Sequence, residues 1–482
     1  MNEFFTAIND FLGQILFFDI LFGSVQDTTI PFLVAWLITG GVYLTVKMGF
    51  VNLHMLKHSY HIIMGHYKTK EDKGTIAPYK SLTTALSATV GLGNIAGVAI
   101  AIAIGGPGAT FWMIVAGFLG MTLKFTEVTL SLKHREFLPD GTIMGGGMEY
   151  LSKGLEQKGF ARFGKVLAIV FALFMIGGAI GGGNTFQVSQ AVGAIGNEVS
   201  FVKENPWIFG VVLAVLTGSV IIGGITRIAD TTSKIVPLMV TIYIAASLWI
   251  LIVHSDAIPA AFTMIFTEAF MPTAVAGGMI GVIVQGFQRA VFSSEAGLGS
   301  APVAHAPARV KYPVRQGIVA LYEPFIDTII VCTMTALVII ITGVWDPANG
   351  YANLIEAKEG AALTAAAYGT VISWFPTVLS VSIFLFAFST MISWSYYGER
   401  AWVYLFGSKS SVLYKVIFLS FIIMASIVDT GVMVDFSFYL ILGMALPNIL
   451  GLYILSGDVK KDLKIYLEKL KSGELDKEAI RD

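Results

Sequence analysis

The sequence predicts an all-α integral membrane protein whose core is two groups of five transmembrane helices with opposite orientations. Of its 482 residues, 55% are hydrophobic and only 13% are charged, and the mean hydropathy is +0.75. Soluble domains, in contrast, carry about a quarter of charged residues. Apolar stretches recur along the chain, and their lengths are close to the roughly 20 residues that a helix needs to cross a bilayer. Glycine clusters interrupt two of these stretches, at matching places in the two groups.

Eleven apolar segments are candidates for crossing the membrane: one extra helix, then two groups of five. The extra helix runs from about Pro31 to Met48. The first group lies near Leu82–Ile104, Thr110–Leu132, Val166–Gly193, Ile208–Gly224 and Lys234–Val253, and the second near Ala274–Glu295, Gly317–Val344, Phe375–Tyr396, Tyr414–Ile427 and Gly431–Leu455. Two shorter apolar segments, Ala260–Ala269 and Ala361–Ile372, are predicted to be surface helices on the outer side.

Basic residues are concentrated in alternate loops. The loops near 47–80, 133–165, 227–234, 309–315, 400–415 and 460–481 hold every Lys and Arg except Lys124, Lys203, Arg289 and Lys358. Loops rich in Lys and Arg stay in the cytoplasm. We therefore expect a multi-pass protein of the cell (plasma) membrane with its N-terminus outside and its C-terminus cytoplasmic. Because five spans is an odd number, the second group enters the membrane from the opposite side, as inverted repeats do.

The segments outside the repeats have simpler interpretations. The N-terminus lacks the basic region of a signal peptide and fits an interfacial amphipathic helix. The charged tail is predicted to be a solvated or surface-lying helix, with a regulatory or partner site as the alternative. The chain then divides into an N-terminal interfacial segment at 1–28, the extra transmembrane helix at 29–50, a cytoplasmic basic loop at 51–80, the first inverted repeat at 81–254, the second at 255–456 and the charged cytoplasmic tail at 457–482.

Four histidines, His54, His58, His61 and His66, follow the extra helix. The first three share one helical face, which could bind a metal. Because no acid or cysteine completes a ligand set, a solvated amphipathic face is the favoured interpretation.

The first glycine cluster, Gly91-Leu92-Gly93, predicts a broken helix in the membrane. Freed carbonyls at such a break can coordinate a hard cation such as Na⁺, and freed amides at the new helix start can hold a carboxylate. Asn94 adds a side-chain oxygen there. Close helix packing is the alternative reason for the glycines. A dinucleotide-binding loop is rejected, because no strand precedes the cluster.

The second cluster, Gly297-Leu298-Gly299, follows the hydroxyls of Ser293 and Ser294 and the carboxylate of Glu295. Paired broken helices in two halves indicate the binding site of a secondary transporter. Arg289 is a charge inside a span and hence a functional candidate. Two roles are open for Arg289. It either takes part in charge pairing that braces the unwound backbone, or it acts in gating. The possible partners are Glu295, or Glu127 and Lys124 on the second core helix.

Polar residues in three other spans are further candidates. Ser389 and Thr390 lie in the eighth core helix, where bonding to their own helix is the simpler explanation. The glycine-rich run 181–183, followed by polar residues up to Gln187, leaves room for a small ligand. Asp327 is a lone carboxylate in an apolar run and needs a cation or a donor.

Four motifs together resemble the alanine/glycine:cation symporter (sodium:alanine symporter) family. They are Val90-Gly91-Leu92-Gly93-Asn94-Ile95-Ala96-Gly97-Val98-Ala99, Gly105-Gly106-Pro107-Gly108-Ala109, Ser294-Glu295-Ala296-Gly297-Leu298-Gly299-Ser300-Ala301-Pro302 with His305, and Trp394-Ser395-Tyr396-Tyr397-Gly398-Glu399. The resemblance implies a LeuT-type core of five-plus-five inverted repeats with an extra N-terminal helix. It also implies Na⁺-coupled uptake of small neutral amino acids, chiefly alanine and glycine.

The same resemblance implies roles for individual residues. One sodium site would use Thr89, Asn94 and Ser293 with Asp327 nearby, and the other would use Ser87, Val90, Ser389 and Thr390. Substrate contacts would come from Thr89, Gly91, Leu92, Gly93, Gln187, Ser294, Gly297 and Trp394, with Gln187 and Trp394 limiting its size. Leu92 departs from a family pattern that has Thr, which bears on the substrate spectrum.

The alternatives to a sodium-coupled symporter differ in class. Proton coupling would need a titrating carboxylate, for which Glu127, Glu295 and Asp327 are candidates. An ion channel would need filter chemistry around an oligomeric axis, which the sequence does not show. Neither an enzyme's nucleophile–base or metal constellation nor a nucleotide-binding domain is visible. The expected partners are therefore a small neutral amino acid, the coupling ion Na⁺ and the bilayer, without nucleic acid.

Overall fold

The computed structural model describes residues 2–23, 29–139, 141–270 and 278–480. Seven of its helices are long and apolar enough to cross a membrane, or eight if one bent pair counts as a single span. This confirms an all-α membrane protein, while the eleven-span, LeuT-type arrangement stays a prediction. The start of the predicted span at Ala274, the boundary at residue 28 and the end of the tail fall outside the described residues.

The longer helices follow one another through two successive halves of the chain. The first half contains α1 (Asn2–Leu16), α2 (Phe32–Lys47), α3 (Pro78–Thr89), α4 (Val98–Gly105), α5 (Ala109–His134), α6 (Ala161–Ile180), α7 (Phe186–Glu198), α8 (Pro206–Ile221) and α9 (Gly224–Val253). The second contains α10 (Ile258–Phe270), α11 (Gly278–Ser294), α12 (Pro313–Ala320), α13 (Thr333–Thr342), α14 (Gly360–Gly369), α15 (Phe375–Phe406), α16 (Ser411–Ala425), α17 (Thr430–Gly443) and α18 (Ala445–Lys471).

Wider helical turns and short elements connect these helices. Backbone of π-helical geometry occupies Gly93–Gly97, Tyr150–Gly154, Gly181–Thr185 and Phe325–Cys332. Short α-helical turns lie at Val51–His54, Leu56–Ile63, Gly147–Glu149, Leu155–Gln157, Ser200–Glu204, Pro302–His305, Tyr322–Pro324, Ala352–Glu356 and Glu474–Glu478, and 3₁₀ turns at Pro347–Asn349 and Ser408–Ser410. Strands β1 (Glu136–Phe137) and β2 (Ile143–Met144) pair antiparallel.

Both glycine clusters interrupt helices. Helix α3 ends at Thr89, and the chain resumes at Gly93 with a bend of 50°. Helix α11 ends at Ser294, and three of the next residues adopt left-handed backbone, with φ of 57° at Glu295, 87° at Gly297 and 77° at Gly299. Glycine adopts this conformation without a steric penalty, whereas a side chain such as that of Glu295 makes it costly.

One predicted surface helix is buried instead. Helix α14 covers the first break: Thr364 Oγ1 donates to the carbonyl of Ile95 at 3.0 Å. Gly360 lies so close that an added Cβ would be 2.2 Å from the carbonyl oxygen of Ala96. The prediction failed because small residues suit both an exposed helix and a tightly packed one. The other predicted surface helix, α10, exposes Phe262 and Phe266.

The tail packs against the basic loops near 47–80, 133–165 and 309–315, partly through the ion pairs Lys133–Asp462 and Lys311–Glu478, and we call this surface the basic face. The backbone N–H of Ile480 donates to the carbonyl of Lys68 at 2.8 Å, and Leu475 is fully buried. The tail therefore packs on the loop near residue 68. His58 is buried too, with Nε2 2.9 Å from the Tyr466 hydroxyl, and burial lowers its pKa to about 4. This corrects the expectation that all the histidines are solvated.

Candidate functional site

The two broken helices meet at the centre of the bundle. A Cβ added to Gly93 would lie 3.2 Å from the Cα of Ser293, so the backbones of the two breaks touch. Glycine permits this approach because it has no side chain to displace the neighbouring chain. Three of the four π-helical segments, Gly93–Gly97, Gly181–Thr185 and Phe325–Cys332, contribute to the same region. Such widened turns occur frequently at functional sites.

Asp327 joins the two breaks. Its carboxylate accepts hydrogen bonds from Asn94 Nδ2 at 2.6 Å, Ser293 Oγ at 2.9 Å and Thr328 Oγ1 at 2.9 Å. The residue is fully buried. A carboxylate at this depth is stable only with such donors or with a cation. We call this set, Asp327 with Asn94, Ser293 and Thr328, the carboxylate junction.

Side chains hold the unwound amides of the first break. The N–H of Gly91 donates to Asn94 Oδ1 at 2.9 Å, and that of Leu92 donates to Gln187 Oε1 at 3.3 Å. Gln187 Nε2 in turn donates to the carbonyl of Gly182 at 2.8 Å. These two N–H groups point away from helical partners, so an acceptor other than helical backbone satisfies each of them.

A second cluster of oxygens lies where α3 crosses α15; we call it the hydroxyl cluster. Ser87 Oγ donates to the carbonyl of Ser389 at 2.9 Å, and Thr390 Oγ1 donates to the carbonyl of Ser87 at 3.2 Å. Ser393 Oγ donates to Ser87 Oγ at 3.0 Å. Ser389 Oγ bonds within its own helix, to the carbonyl of Phe386 at 3.1 Å. All four residues are buried, and Ser393 was not predicted as part of a site.

Comparison with known proteins identifies the family. The family model described as "Sodium:alanine symporter family" matches residues 16–480. The chain belongs to the sodium:alanine symporter family. It is 38% identical to the sodium/alanine symporter AgcS of Methanococcus maripaludis over 91% of this chain and 94% of that protein. It is also 33% identical to the amino-acid carrier protein AlsT of Bacillus subtilis, over 95% and 94%.

Family membership makes this chain a multi-pass membrane transporter of the amino-acid symporter type rather than an enzyme. It does not define the substrate, since the relatives carry different names. The probable sodium/glutamine symporter GlnT of Bacillus subtilis is 30% identical over 92% of this chain and 89% of its own length.

Three other predicted site residues of this symporter, Thr89, Ser294 and Val90, lie close to the breaks in the sequence but do not join the carboxylate junction. Thr89 Oγ1 bonds back to the carbonyl of Ala85 at 3.3 Å, and Ser294 Oγ to that of Ala290 at 2.8 Å. Val90 lines an apolar cavity of about 300 Å³ beside α9. These three residues are therefore near the breaks but outside the carboxylate junction.

Gly297 and Trp394 have different neighbours. A Cβ on Gly297 would approach Leu37 of α2 at 3.0 Å, so this glycine faces the extra helix. Trp394 is buried and packs against Gly183, where an added Cβ would lie 2.3 Å from the Trp394 Cβ. The structure thus brings Trp394 to the glycine-rich turn before Gln187, and it leaves Gly297 apart from Gly91.

The buried charges of the symporter pair differently from the sequence-based expectation. Lys124 Nζ lies 3.2 Å from Glu323 Oε2, and His305 Nε2 lies 2.5 Å from Glu323 Oε1. Glu323 was missed although it lies inside the predicted span Gly317–Val344, where a carboxylate is a functional candidate; only Asp327, four residues later, was singled out. Glu127 accepts from Asn448 Nδ2 at 2.6 Å.

Arg289 does not brace the break. Its guanidinium carbon lies 5.0 Å from the ring centre of Phe438. No ion pair with Glu295 or Glu127 forms in the described part of the chain, where Glu295 accepts from the hydroxyl of Ser300 instead. The expected pairing fails because residues six apart lie on different faces of an α-helix, and because Glu295 lies beyond the end of α11, in left-handed backbone.

Proposed function

We propose that the protein imports small neutral amino acids, alanine and glycine, together with Na⁺, by alternating access. The observation that carries this proposal is the carboxylate junction. It ties Asn94 of the first break to Ser293 of the second through one buried carboxylate, that of Asp327. A cation bound there would hold the two broken helices together, so its arrival and departure would change how they pack.

The donor atoms of two oxygen-rich sets suit Na⁺. In the first set, the Asp327 carboxylate would hold the ion with Ser293 and the oxygen of Asn94, and Thr89 remains a proposed ligand. In the second, the hydroxyl cluster offers Ser87, Ser389 and Thr390, and the carbonyl of Val90 remains a proposed ligand. Hard cations such as Na⁺ prefer carboxylate, hydroxyl and carbonyl oxygens of this kind. Among the described residues, no group of three or more His, Cys, Asp and Glu side chains could hold a softer metal.

The amino-acid carboxylate would bind at the first break. The N–H groups of Gly91 and Leu92 are held by side-chain oxygens and can exchange these for the carboxylate of a ligand. Gly93 allows the backbone to approach a ligand closely. Gln187 would then be free to contact the substrate, and Ser294, Gly297 and Trp394 remain proposed contacts from the second break and α15. The Leu92 side chain adds an apolar wall that favours small substrates.

Gradient-driven uptake tests this function. Purified protein in proteoliposomes should accumulate labelled alanine or glycine when an inward Na⁺ gradient is imposed, because ion and substrate bind at the same two breaks. The control is the same vesicles with K⁺ in place of Na⁺. If a proton gradient without Na⁺ drives uptake equally well, coupling is to protons, and Glu127, Glu295 and Asp327 become the groups to replace. One relative is named a putative sodium/proton-dependent alanine carrier, YrbD of Bacillus subtilis, which makes this the second candidate.

A further inference from the structure

Arg289 is a buried cation for which the described residues provide no hydrogen-bonding partner. It lies on α11 four residues before Ser293 and is 6% exposed. Its Nε and Nη1 atoms are buried and make no hydrogen bond within the described residues. An unpaired charge inside a membrane protein is costly and marks a functional position. The side chain therefore requires an anion that these residues do not supply.

An aromatic cluster separates Arg289 from the first break. The guanidinium carbon lies 5.0 Å from the ring centre of Phe438. The Phe438 ring is 6.1 Å from that of Phe292, which is 4.9 Å from that of Phe186. Phe186 directly precedes Gln187, the residue that holds the N–H of Leu92. A molecule that left Arg289 for the break would thus pass these three rings, Phe186, Phe292 and Phe438.

The ion pair of Asp435 with Lys358 lies within electrostatic reach of Arg289. Asp435 lies one turn before Phe438 on α17 and acts electrostatically on Arg289. Its carboxylate, however, is engaged by Lys358 Nζ at 2.7 and 2.8 Å. Lys358 stands just before α14, the helix that covers the first break. Arg289 is hence near both this partly exposed ion pair and the aromatic cluster.

We propose that Arg289 binds the carboxylate of the incoming amino acid at a separate outer subsite, before the amino acid reaches the broken helices. The proposal rests on the proposed function, because its ligand is the transported substrate. A guanidinium is the side chain best suited to a carboxylate, which it binds through charge-assisted hydrogen bonds. At this subsite the guanidinium recognises the group that all α-amino acids share. Size selection is left to the inner site around Gln187.

Substitution at Arg289 tests the subsite. With an inward Na⁺ gradient in proteoliposomes, Arg289→Gln should raise the KM for alanine about tenfold or more, the value of one lost charge-assisted hydrogen bond. Arg289→Lys should stay closer to wild type, because it keeps the charge. The matched control is Lys203→Gln, which removes another basic residue outside the basic face and should leave the KM unchanged. An unchanged KM in Arg289→Gln overturns the proposal.

Competition by a carboxylate without an amine is a second test, and it compares two proteins because the first break also binds carboxylates. Propionate should inhibit alanine uptake competitively in the wild type and about tenfold more weakly in Arg289→Gln, whereas propylamine should inhibit neither. If propionate inhibits both proteins equally and Asp435→Asn raises the KM as much as Arg289→Gln, Arg289 acts by stabilising Asp435 and the subsite does not exist. A wild-type protein that shows no Na⁺-driven alanine uptake contradicts the proposed function instead.

Discussion

At the scale of single residues, Ser389 and Thr390 are adjacent in the sequence, but their hydroxyls have different hydrogen-bond partners. Thr390 Oγ1 crosses to the carbonyl of Ser87 on α3, while Ser389 Oγ returns to its own helix at Phe386. Of these two hydroxyls, only that of Thr390 donates to the broken helix. The Thr390 hydroxyl is therefore the better placed of the two to act as an ion ligand.

Replacing Thr390 by Val keeps the side-chain shape and removes this oxygen. The Na⁺ concentration for half-maximal uptake should rise about fivefold or more, since losing one such polar contact costs about 1–2 kcal/mol. Maximal uptake at high Na⁺ should recover, because the N–H groups of Gly91 and Leu92 are held by Asn94 and Gln187 and not by the Thr390 hydroxyl. The measurement is alanine uptake against Na⁺ concentration.

Ser380→Ala is the matched control for Thr390→Val. Ser380 lies on the same helix and bonds only to the carbonyl of Pro376, at 2.9 Å. Its Na⁺ dependence should equal that of the wild type. If Thr390→Val also keeps wild-type Na⁺ dependence, the hydroxyl cluster is a packing contact between α3 and α15 and holds no ion.

At the scale of elements, helix α14 acts as a cover over the first break. Gly360→Ala should displace it, because the new Cβ would lie 2.2 Å from the backbone oxygen of Ala96, which cannot move aside as a side chain can. Overpacking of this kind costs about 1–3 kcal/mol. We expect alanine uptake to fall about tenfold or more while the purified protein remains folded, as measured by uptake and thermal unfolding.

Gly193→Ala serves as the control for this change. An added Cβ there meets its nearest atom, in the Glu359 side chain, at 3.4 Å, which is ordinary contact. Its uptake should match the wild type. Normal transport by Gly360→Ala would mean that α14 does not need to rest on the first break.

The sequence predicts the elements of the site better than their contacts. Glycine clusters in apolar spans indicate both breaks, and a carboxylate in a span singles out Asp327, since both violate local rules that only a site would justify. The same rule applies to Glu323, four residues earlier in the same predicted span, which was not predicted. The partner of Lys124 and the isolation of Arg289 depend on how helices rotate against one another. The burial of α14 likewise depends on packing. Its small residues form no distinct apolar face that would predict burial from the sequence.

At the scale of the whole molecule, the distribution of basic residues predicts sidedness. Cysteines introduced at Asn205 and Ala357 should react with an impermeant reagent added outside intact cells, whereas one at Lys68 should react only after permeabilisation. The physical reason is that loops rich in Lys and Arg stay in the cytoplasm. Labelling is measured on the protein isolated from the cells, with Cys332 as the buried internal reference. The reverse pattern would remove the inverted-repeat interpretation.

The ion pair of Lys124 with Glu323 has a consequence for biogenesis. Both side chains are fully buried, yet Glu323 is synthesised about 200 residues after Lys124. Because the ribosome adds about 5–20 residues per second, on the order of 10–40 s pass between the synthesis of Lys124 and that of Glu323. During this interval Glu127, one turn away on α5, is the nearest carboxylate available to the lysine. The nascent first half must therefore keep α5 away from lipid, next to the insertion machinery or other helices, until the second half arrives.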